Sequence, residues 1–549
     1  MKLIRAVACC WLAVVLLCGF ARSQDRYRAE RFLGIPAKER PLAPLARPEG
    51  FAEHIVGGKL VLSLDDSIRL AMTNNTDIRV DEVAVDVAEN NIHRQHQLFD
   101  PIVTGGFNDQ RVKSQTSSQL QGAQILNTLS QTTQFGYGQT FATGTNLQTT
   151  FQANKFSTNS GFQTLNPSYA TSWQFVVTQP LLKNFGTFAN KAPLYVAQRN
   201  YKQNEATFKA EVSNVLLQVI TQYWSVVLSH QAYEVQKKSY DEAQTSYERD
   251  KKALSLGALP PLDIYRSESE VAARRVGLIQ AEYAVKQAED QFRQVIGADR
   301  DTTINALDIQ LTEKLEPGEQ LRRIDIGTAM TIAMANRPEL EAADQQLASD
   351  AISLRLAHNN LRPDLELSGI YAPSGVAGNM YSATVPPVLV STGGIGDSLS
   401  QMLGLKYPTY GGALTLRLPI KNHAAEADLA DAKVTQRGDQ YRQARTLQQI
   451  NLEVTNAVHQ LEQATLSLEA AKISEDLAQK NLRAEERKYQ LGNSTVFFVL
   501  DAQTQLAQAE FSVAQAQTQY QTAMAAVDHA TGKLLETHYV KLAPRARTK

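Results

Sequence analysis

The spacing of apolar positions changes abruptly at two points in the chain. In SWQFVVTQPLLKNFGTFANKA (Ser172 to Ala192), Trp173, Phe175 and Val177 alternate with Gln174 and Thr178. This is the period of a strand with one apolar face. After Gln179 and Pro180 the alternation stops, and roughly seventy residues of helical spacing begin. The same change recurs in GALTLRLPIKNHAAEADLA (Gly412 to Ala430).

The helical stretches are regular. From Ala424 to Leu491 there is no proline, and Gly438 is the only glycine. Every seventh residue gives Leu447, Val454, Leu461, Leu468, Glu475, Leu482 and Tyr489. Three places after the first five stand Ile450, Ala457, Ala464, Ala471 and Ala478. That is a heptad seam, with alanine at one core position so that helices can approach closely. The earlier stretch has its own stripe of Val212, Val219, Val226, Tyr233, Tyr240, Tyr247 and Leu254. At 1.5 Å per residue such stretches predict rods of about 100 Å. Each rod ends at a glycine suited to a left-handed cap, Gly257 or Gly492. Pro260 and Pro261 can open one returning helix, Leu262 to Ile296. Ser494 and Thr495 can cap the other, Val496 to Thr531.

The chain repeats itself. LDDSIRLAMTNNTDI (Leu64 to Ile78) matches IGTAMTIAMANRPEL (Ile326 to Leu340), pairing Ala71 with Ala333, Asn74 with Asn336 and Pro101 with Pro363. Further on, Gly257 pairs with Gly492 and Gly297 with Gly532. Each copy reads helix, strands, long helix, turn, helix. Opening helices are expected at about Leu64 to Leu98 and Ile326 to Leu361, each followed closely by a proline. The expected divisions are 24–60 as an extended segment, 61–297 and 326–532 as the two repeats, 298–325 as an equatorial linker, and 533–549 as a tail.

The middles of the copies are poor in charge. Ser114 to Leu182 holds only Lys155, and Leu367 to Leu416 only Asp397 and Lys406. A flexible linker would share that composition, but it has no need of alternation. Phe135, Tyr137 and Phe141 alternate, as do Leu147, Thr149 and Phe151, with a turn at Gly144. Alternating aromatics with few charges suit a transmembrane barrel wall, apolar toward lipid and polar toward the lumen. Strands are expected at about 101–113, 132–141, 145–156, 169–181, 363–371 and 410–418, with Ala372 to Pro408 as an exposed loop.

Charge is nearly balanced, at a formal −1, which argues against a nucleic-acid binder. Residues 1–23 read as a secretory signal: Lys2 and Arg5, an apolar run from Ala6 to Phe20, then Ala21-Arg22-Ser23. Cys9, Cys10 and Cys18 all lie inside it, so the mature chain has no thiol chemistry. Leu17 precedes Cys18, where lipidation would call for a small residue. No other apolar run is long enough for a membrane-spanning helix.

This arrangement resembles the TolC family of outer-membrane export channels. The resemblance rests on the tandem copies, on QPLLKNFG and LPIKNHAA at strand-to-helix joints, on NRPEL, and on YQLGNSTVFFVLDAQTQLAQAE (Tyr489 to Glu510) at a helix turn. It implies an α+β membrane protein whose tandem coiled-coil hairpins form a periplasmic α-barrel. That barrel would be continuous with an antiparallel outer-membrane β-barrel in a homotrimer. Family trimers hold twelve strands. Here the hairpin at 132–156 is extra, and it either enlarges the barrel to eighteen strands or extends its outer rim. The rim is the expected arrangement.

The resemblance also implies a gate at the periplasmic end. Asp501 keeps an acidic family position there, and Phe498 stands where aspartate is common. Asp263 and Tyr489 are expected in the contacts that hold the gate shut. The tips Leu256, Gly257, Leu491, Gly492 and Ser494 would meet a periplasmic adaptor, behind which stands an inner-membrane transporter. Each has a plainer reading: a solvated carboxylate, packing, or simple capping. His93 and His96 share a helix face, but no third metal ligand is apparent. GxxxxGK, GxSxG and HExxH signals are absent, so neither an enzyme nor a cofactor is expected. The functional expectation is a passive duct for tripartite efflux or type I secretion. The rival is a periplasmic or cell-surface coiled-coil scaffold, in which the charge-poor alternating middles would have no role.

Overall fold

A computed structural model describes residues 46–540 except 117–120, 162, 257–261, 314–321, 383–387 and 492. The expected signal segment, most of the 24–60 segment, Gly257 and Gly492 lie outside the described residues. The architecture below is that of the unit beginning at Glu49.

A short hairpin, β1 (Ile55–Val56) and β2 (Lys59–Leu62), leads into helices α1 (Leu64–Asn74) and α2 (Thr76–Gln95). Four long strands follow: β3 (Ile102–Gln115), β4 (Ile125–Thr140), β5 (Asn146–Thr158) and β6 (Leu165–Pro180). Next come the rod α3 (Thr187–Ser255) and the returning helix α4 (Asp263–Ile296). Strand β7 (Asp308–Leu311), between the two copies in sequence, pairs in parallel with β2. Copy two contains α5 (Ile326–Asn336), α6 (Pro338–Asn360), β8 (Asp364–Tyr381), β9 (Leu389–Ser391), α7 (Ile395–Leu403), β10 (Tyr407–Arg417), α8 (His423–Gln490) and α9 (Val496–Ala530).

The main sheet runs β10-β8-β6-β5-β4-β3, antiparallel throughout, with β9 added beside β8. Register aligns Val103, Tyr137, Thr149, Phe175, Tyr371 and Tyr410 in one row across six strands. Phe135, Phe151 and Trp173 lie in the next row of the same face. The opposite face aligns Gln134, Gln152, Ser172 and Ser374. Over these rows alternation in the sequence becomes one apolar and one polar surface; farther from the helices the first face also carries Asp109, Arg111, Lys113 and Lys155. Trp173 adds a bond from its indole N–H to Thr149 Oγ1, at 2.8 Å.

Three expectations need correction. First, β4 pairs with β3 over the whole of β3, and β5 pairs with both β4 and β6. The hairpin at 132–156 is therefore part of the wall, not an addition to its rim. Second, Ala372 to Pro408 is not simply an exposed loop. β8 continues to Tyr381, and α7 folds back against β6 and β8. Ser398 of α7 is fully buried, donating to Gly375 O at 2.7 Å and sharing a bond with Thr171 Oγ1 at 2.8 Å. A Cβ at Gly375 would sit 2.0 Å from Ser398 O, so the small residues of this stretch make room for the helix. Third, the opening helices are broken, at Asn75 and at Arg337. Asn75 is extended and caps α2 through bonds to the Asp77 and Ile78 amides. Arg337 precedes Pro338, which disfavours helical backbone before it.

These breaks are joints. Asn75 Nδ2 donates to Val295 O at 2.8 Å, near the end of α4. In copy two, Arg337 Nη1 donates to His529 O at 3.3 Å, near the end of α9. Val295 O is a carbonyl near a helix end, whereas His529 O also accepts from Gly532 N at 2.9 Å. Beside them, Gly297 packs on Asn74 and Gly532 on Asn336, the pairs related by the repeat. Arg337 is also buried against Glu453 (2.7 Å) and Glu339 (3.0 Å). Each joint stacks a returning helix end to end with an opening one, so a broken arm matches a continuous rod.

Two cores result. Copy one buries Val212, Val219 and Tyr223 of α3 against Phe292 and Ile296 of α4, with Leu60 and Leu62 of β2 and Ile309 of β7. Copy two buries Ile450, Val454, Leu461 and Leu468 of α8 against Tyr520 and Val527 of α9. The seam of α8 is the expected one down to Leu468. Between α6 and α8, Gln346 Nε2 bonds both Asp350 and Asp439, each at 3.1 Å. Burial, with the neighbouring Asp439 carboxylate, pushes the Asp350 carboxyl up to about 6.

The glycine joints give a paired test. Gly532 has φ +73, and a Cβ there would lie 2.9 Å from the Asn336 backbone. Gly532→Ala should destabilise the protein by about 1–3 kcal/mol. Gly438, inside α8 with nothing within 4 Å, should gain about 0.5–1 kcal/mol on becoming alanine. Thermal unfolding of the two variants in detergent checks this, and equal melting temperatures contradict it.

Candidate functional site

The candidate site is the helix-turn end, farthest along the rods from the sheet. α3 ends at Ser255 and Leu256 is 83% exposed; Leu262, before α4, is 79% exposed. α8 ends at Gln490, and Leu491 is 69% exposed. Ser494 Oγ donates to Glu485 Oε2 at 3.0 Å, bracing the turn against its own rod. Lys488 also binds Glu485, at 2.6 Å. These bonds hold the Glu485 carboxyl below the usual range, Lys488 first and Ser494 second.

The expected gate residues do not form one cluster within the chain. Phe498 is exposed and meets Phe497 edge to face, at 5.4 Å between ring centres. Asp501 is exposed one turn further along and accepts from Gln505 Nε2 at 2.7 Å. Asp263 opens α4, and its side chain lies outside what is described. Tyr489 is the exception. The Arg249 guanidinium of α3 sits over its ring, 5.4 Å from the centre. That contact joins the hairpin of copy one to the hairpin of copy two.

Arg249–Tyr489 is one of a set that sequence reading missed. Arg274 of α4 donates to Thr504 Oγ1 of α9 at 2.6 Å while bound to Glu270 at 2.7 Å. Lys238 of α3 meets Glu510 of α9 at 3.1 Å. Beside this pair, burial lifts the Glu242 carboxyl above its ordinary range. Within the first hairpin, Ser267 donates to Asp250, and both are buried. In the sequence, arginines and lysines on helices of mixed charge look like solvated side chains. Only the lateral packing of α3 on α9 makes them cross-links.

Two recesses flank these contacts. One, of about 560 Å³, lies at the second tip between Glu485, Lys488, Asn493, Thr495 and Phe498. The other, of about 480 Å³, is a groove between α8 and α9 beside Leu477, Ala478, Asn481 and Gln505. His93 and His96 lie at the far end of α2, where His96 Nδ1 contacts Ile92 O. Among the described residues, no group of three or more acidic, His or Cys side chains could hold a metal. None of the described helices is long and apolar enough to cross a membrane.

The lateral edges of the chain are bare. Every residue of β3 and of β10 is exposed. Below β3, α2 exposes Val80, Val83 and Val87, and α4 exposes Val276, Ile279 and Tyr283. Below β10, α8 exposes Val434, Tyr441, Leu466 and Ile473. These positions have helical and heptad spacing, as in a seam with no partner.

Comparison with known proteins fits this architecture. The family model described as outer membrane efflux protein matches residues 67–298 and 330–533. Nodulation protein T of Rhizobium leguminosarum bv. trifolii is 24% identical over 352 residues, covering 61% of this chain and 68% of that protein. Outer membrane efflux protein BepC of Brucella suis biovar 1 (strain 1330) is 24% identical over 363 residues, covering 65% and 71%. In fold, the chain is similar to the Campylobacter jejuni CmeC outer membrane channel, with a TM-score of 0.61 at 14% identity over 91% of this chain and 94% of that one. It is also similar to the Neisseria gonorrhoeae MtrE outer membrane channel in its open state, with a TM-score of 0.59 at 17% identity over 90% and 98%. The match spans both repeats, and the chain therefore belongs to the outer membrane efflux protein family and is a protein of the outer membrane.

Proposed function

We propose that the chain is one of three staves of a passive export duct, open to the cell exterior through the sheet and closed at rest at the helix-turn end. The observation that carries this reading is the pair of bare lateral edges. One edge is β3 with α2 and α4 below it; the other is β10 with α8 below it. Two different edges on one chain make a head-to-tail contact, which gives a closed ring when the rotation closes. Sheet and helices share the same two edges, so one ring would close both layers into a continuous tube. Energy for transport would come from an inner-membrane transporter, reached through a periplasmic adaptor docked at Leu256, Leu491 and the groove between α8 and α9. That fits either tripartite efflux or type I secretion.

At the closed end, three copies of Phe498 and Asp501 would surround the axis, one ring apolar and one acidic. A ring of carboxylates favours cations and disfavours anions. Arg249–Tyr489, Arg274–Thr504 and Lys238–Glu510 would hold the two hairpins of each copy together, and opening would separate them. A scaffold without a channel would have no use for a six-stranded sheet with one apolar face.

An epitope inserted at Gly161, in the exposed β5–β6 turn, should be labelled on intact cells. Labelling only after permeabilisation, at normal expression, would favour the scaffold. For the gate, Arg249→Ala with Arg274→Ala should raise single-channel conductance in planar bilayers severalfold. Unchanged conductance would rule out these contacts as the latch.

A further inference from the structure

We propose that the barrel of this duct has eighteen strands, six from each of three copies, closed by β3 of one copy running along β10 of the next. The inference rests on the duct reading above and goes beyond it, since it fixes the width and lining of the outer-membrane passage.

The six-strand count depends on the β4–β5 hairpin, which is built into the wall at both its sides and at its foot. On the sides, β4 pairs with β3 from Ile125 to Gly138, and β5 pairs with β6 from Asn146 to Phe156. At the foot, Gly144 has φ +87, and a Cβ there would lie 2.7 Å from Asn184 O and 2.8 Å from Asn190 Nδ2. Gly186 N donates to Thr143 O at 3.3 Å, and Gln139 Nε2 to Phe99 O at 3.3 Å. The turn is thus seated between the end of α2 and the start of α3. A hairpin that merely lengthened the rim would have no contact at this level.

The strands also have the order and direction that closure needs. They form an unbroken antiparallel meander of six from β3 to β10. An even count leaves β3 and β10 pointing in opposite directions. β10 of one copy can then pair antiparallel with β3 of the next, as bacterial barrels require.

The widths of the two layers agree as well. The helices directly beneath the sheet are α2, α3, α6 and α8, packed side by side in that order. At roughly 8–10 Å between axes, four helices span about 32–40 Å of perimeter. Six strands about 4.8 Å apart, tilted by about 40°, span about 38 Å. Four strands would span only about 25 Å at the same tilt. The extra hairpin makes the sheet as wide as the helical layer that continues it.

The consequence is a wide, neutral bore. Barrel diameter grows roughly in proportion to strand number, and 16–18 strands leave an aqueous channel. The polar face carries Thr104, Gln134, Thr150, Gln152, Gln174 and Ser374. Among the described residues no charged side chain lies on it above Glu366. Such a lining does not sort cargo by charge, and selection falls to the helix-turn end.

The test is a distance. Gln152→Cys puts one thiol on the polar face of β5, since Cys9, Cys10 and Cys18 lie in the expected signal segment and are replaced by serine where it is retained. Spin-labelled and purified in detergent, the variant should have the mass of a trimer. Pulsed electron resonance should then give one backbone spacing of about 31 Å, the triangle side for eighteen strands. A trimer with a spacing of about 21 Å, as for twelve strands, would overturn the proposal and leave the duct intact. A monomer would overturn both. Gln174→Cys on β6 carries the same expectation and replaces the first variant if that one fails to fold.

Discussion

Unpaired backbone groups in lipid are the constraint on which this structure turns. A sheet whose outermost strands leave their amides and carbonyls without partners cannot stay in a bilayer, where no water replaces the missing bonds. This chain carries such a sheet, apolar on one face, with β3 and β10 bare along their length. In the duct proposed above, its edge strands are completed by other copies. The long helices extend the same two edges downward, so in that proposal one lateral contact would serve both halves of the molecule.

The helical half meets its own constraint through repetition. A continuous rod of about 100 Å must lie beside an arm assembled from pieces. Each copy solves this with a joint where a helix C-terminus is stacked on the start of the next helix. Asn75 does the bridging in copy one and Arg337 in copy two, both donating to carbonyls at the end of a returning helix. The residue changed between copies while the bond was kept. The glycines beside these joints are needed for close approach, which is why they recur at equivalent places.

Much of this was legible in the sequence, because period is a strong signal when it persists. The rods, their seam down to Leu468 and the aromatic strands follow from spacing alone. The joints did not, since a break of one residue hardly disturbs a stripe of apolar positions. The upper half of β8 was hidden by its small residues, Pro373, Gly375 and Ala377, which alternate in no hydrophobic sense but form the seat for α7. The tie between hairpins was hidden for another reason. Arg249, Arg274 and Lys238 are ordinary charged helix residues until α3 is set against α9. Tyr489 could be singled out through family resemblance, but its partner could not.

The central claim is that the two lateral edges meet head to tail in a closed ring. The helix registers allow a direct check. Lys238 faces Glu510, Asp250 faces Ser267, and His230 faces Glu289. Asn481 faces Gln505. Counting along these pairs brings the exposed Tyr283 of α4 and the exposed Ile473 of α8 to about the same height on opposite edges. The decisive measurement is disulfide cross-linking of a variant carrying Tyr283→Cys and Ile473→Cys. Covalent dimers and trimers, with nothing larger, are the predicted result. A chain that stays monomeric under oxidation while normally exposed on cells, or a ladder that continues beyond three, would contradict the ring.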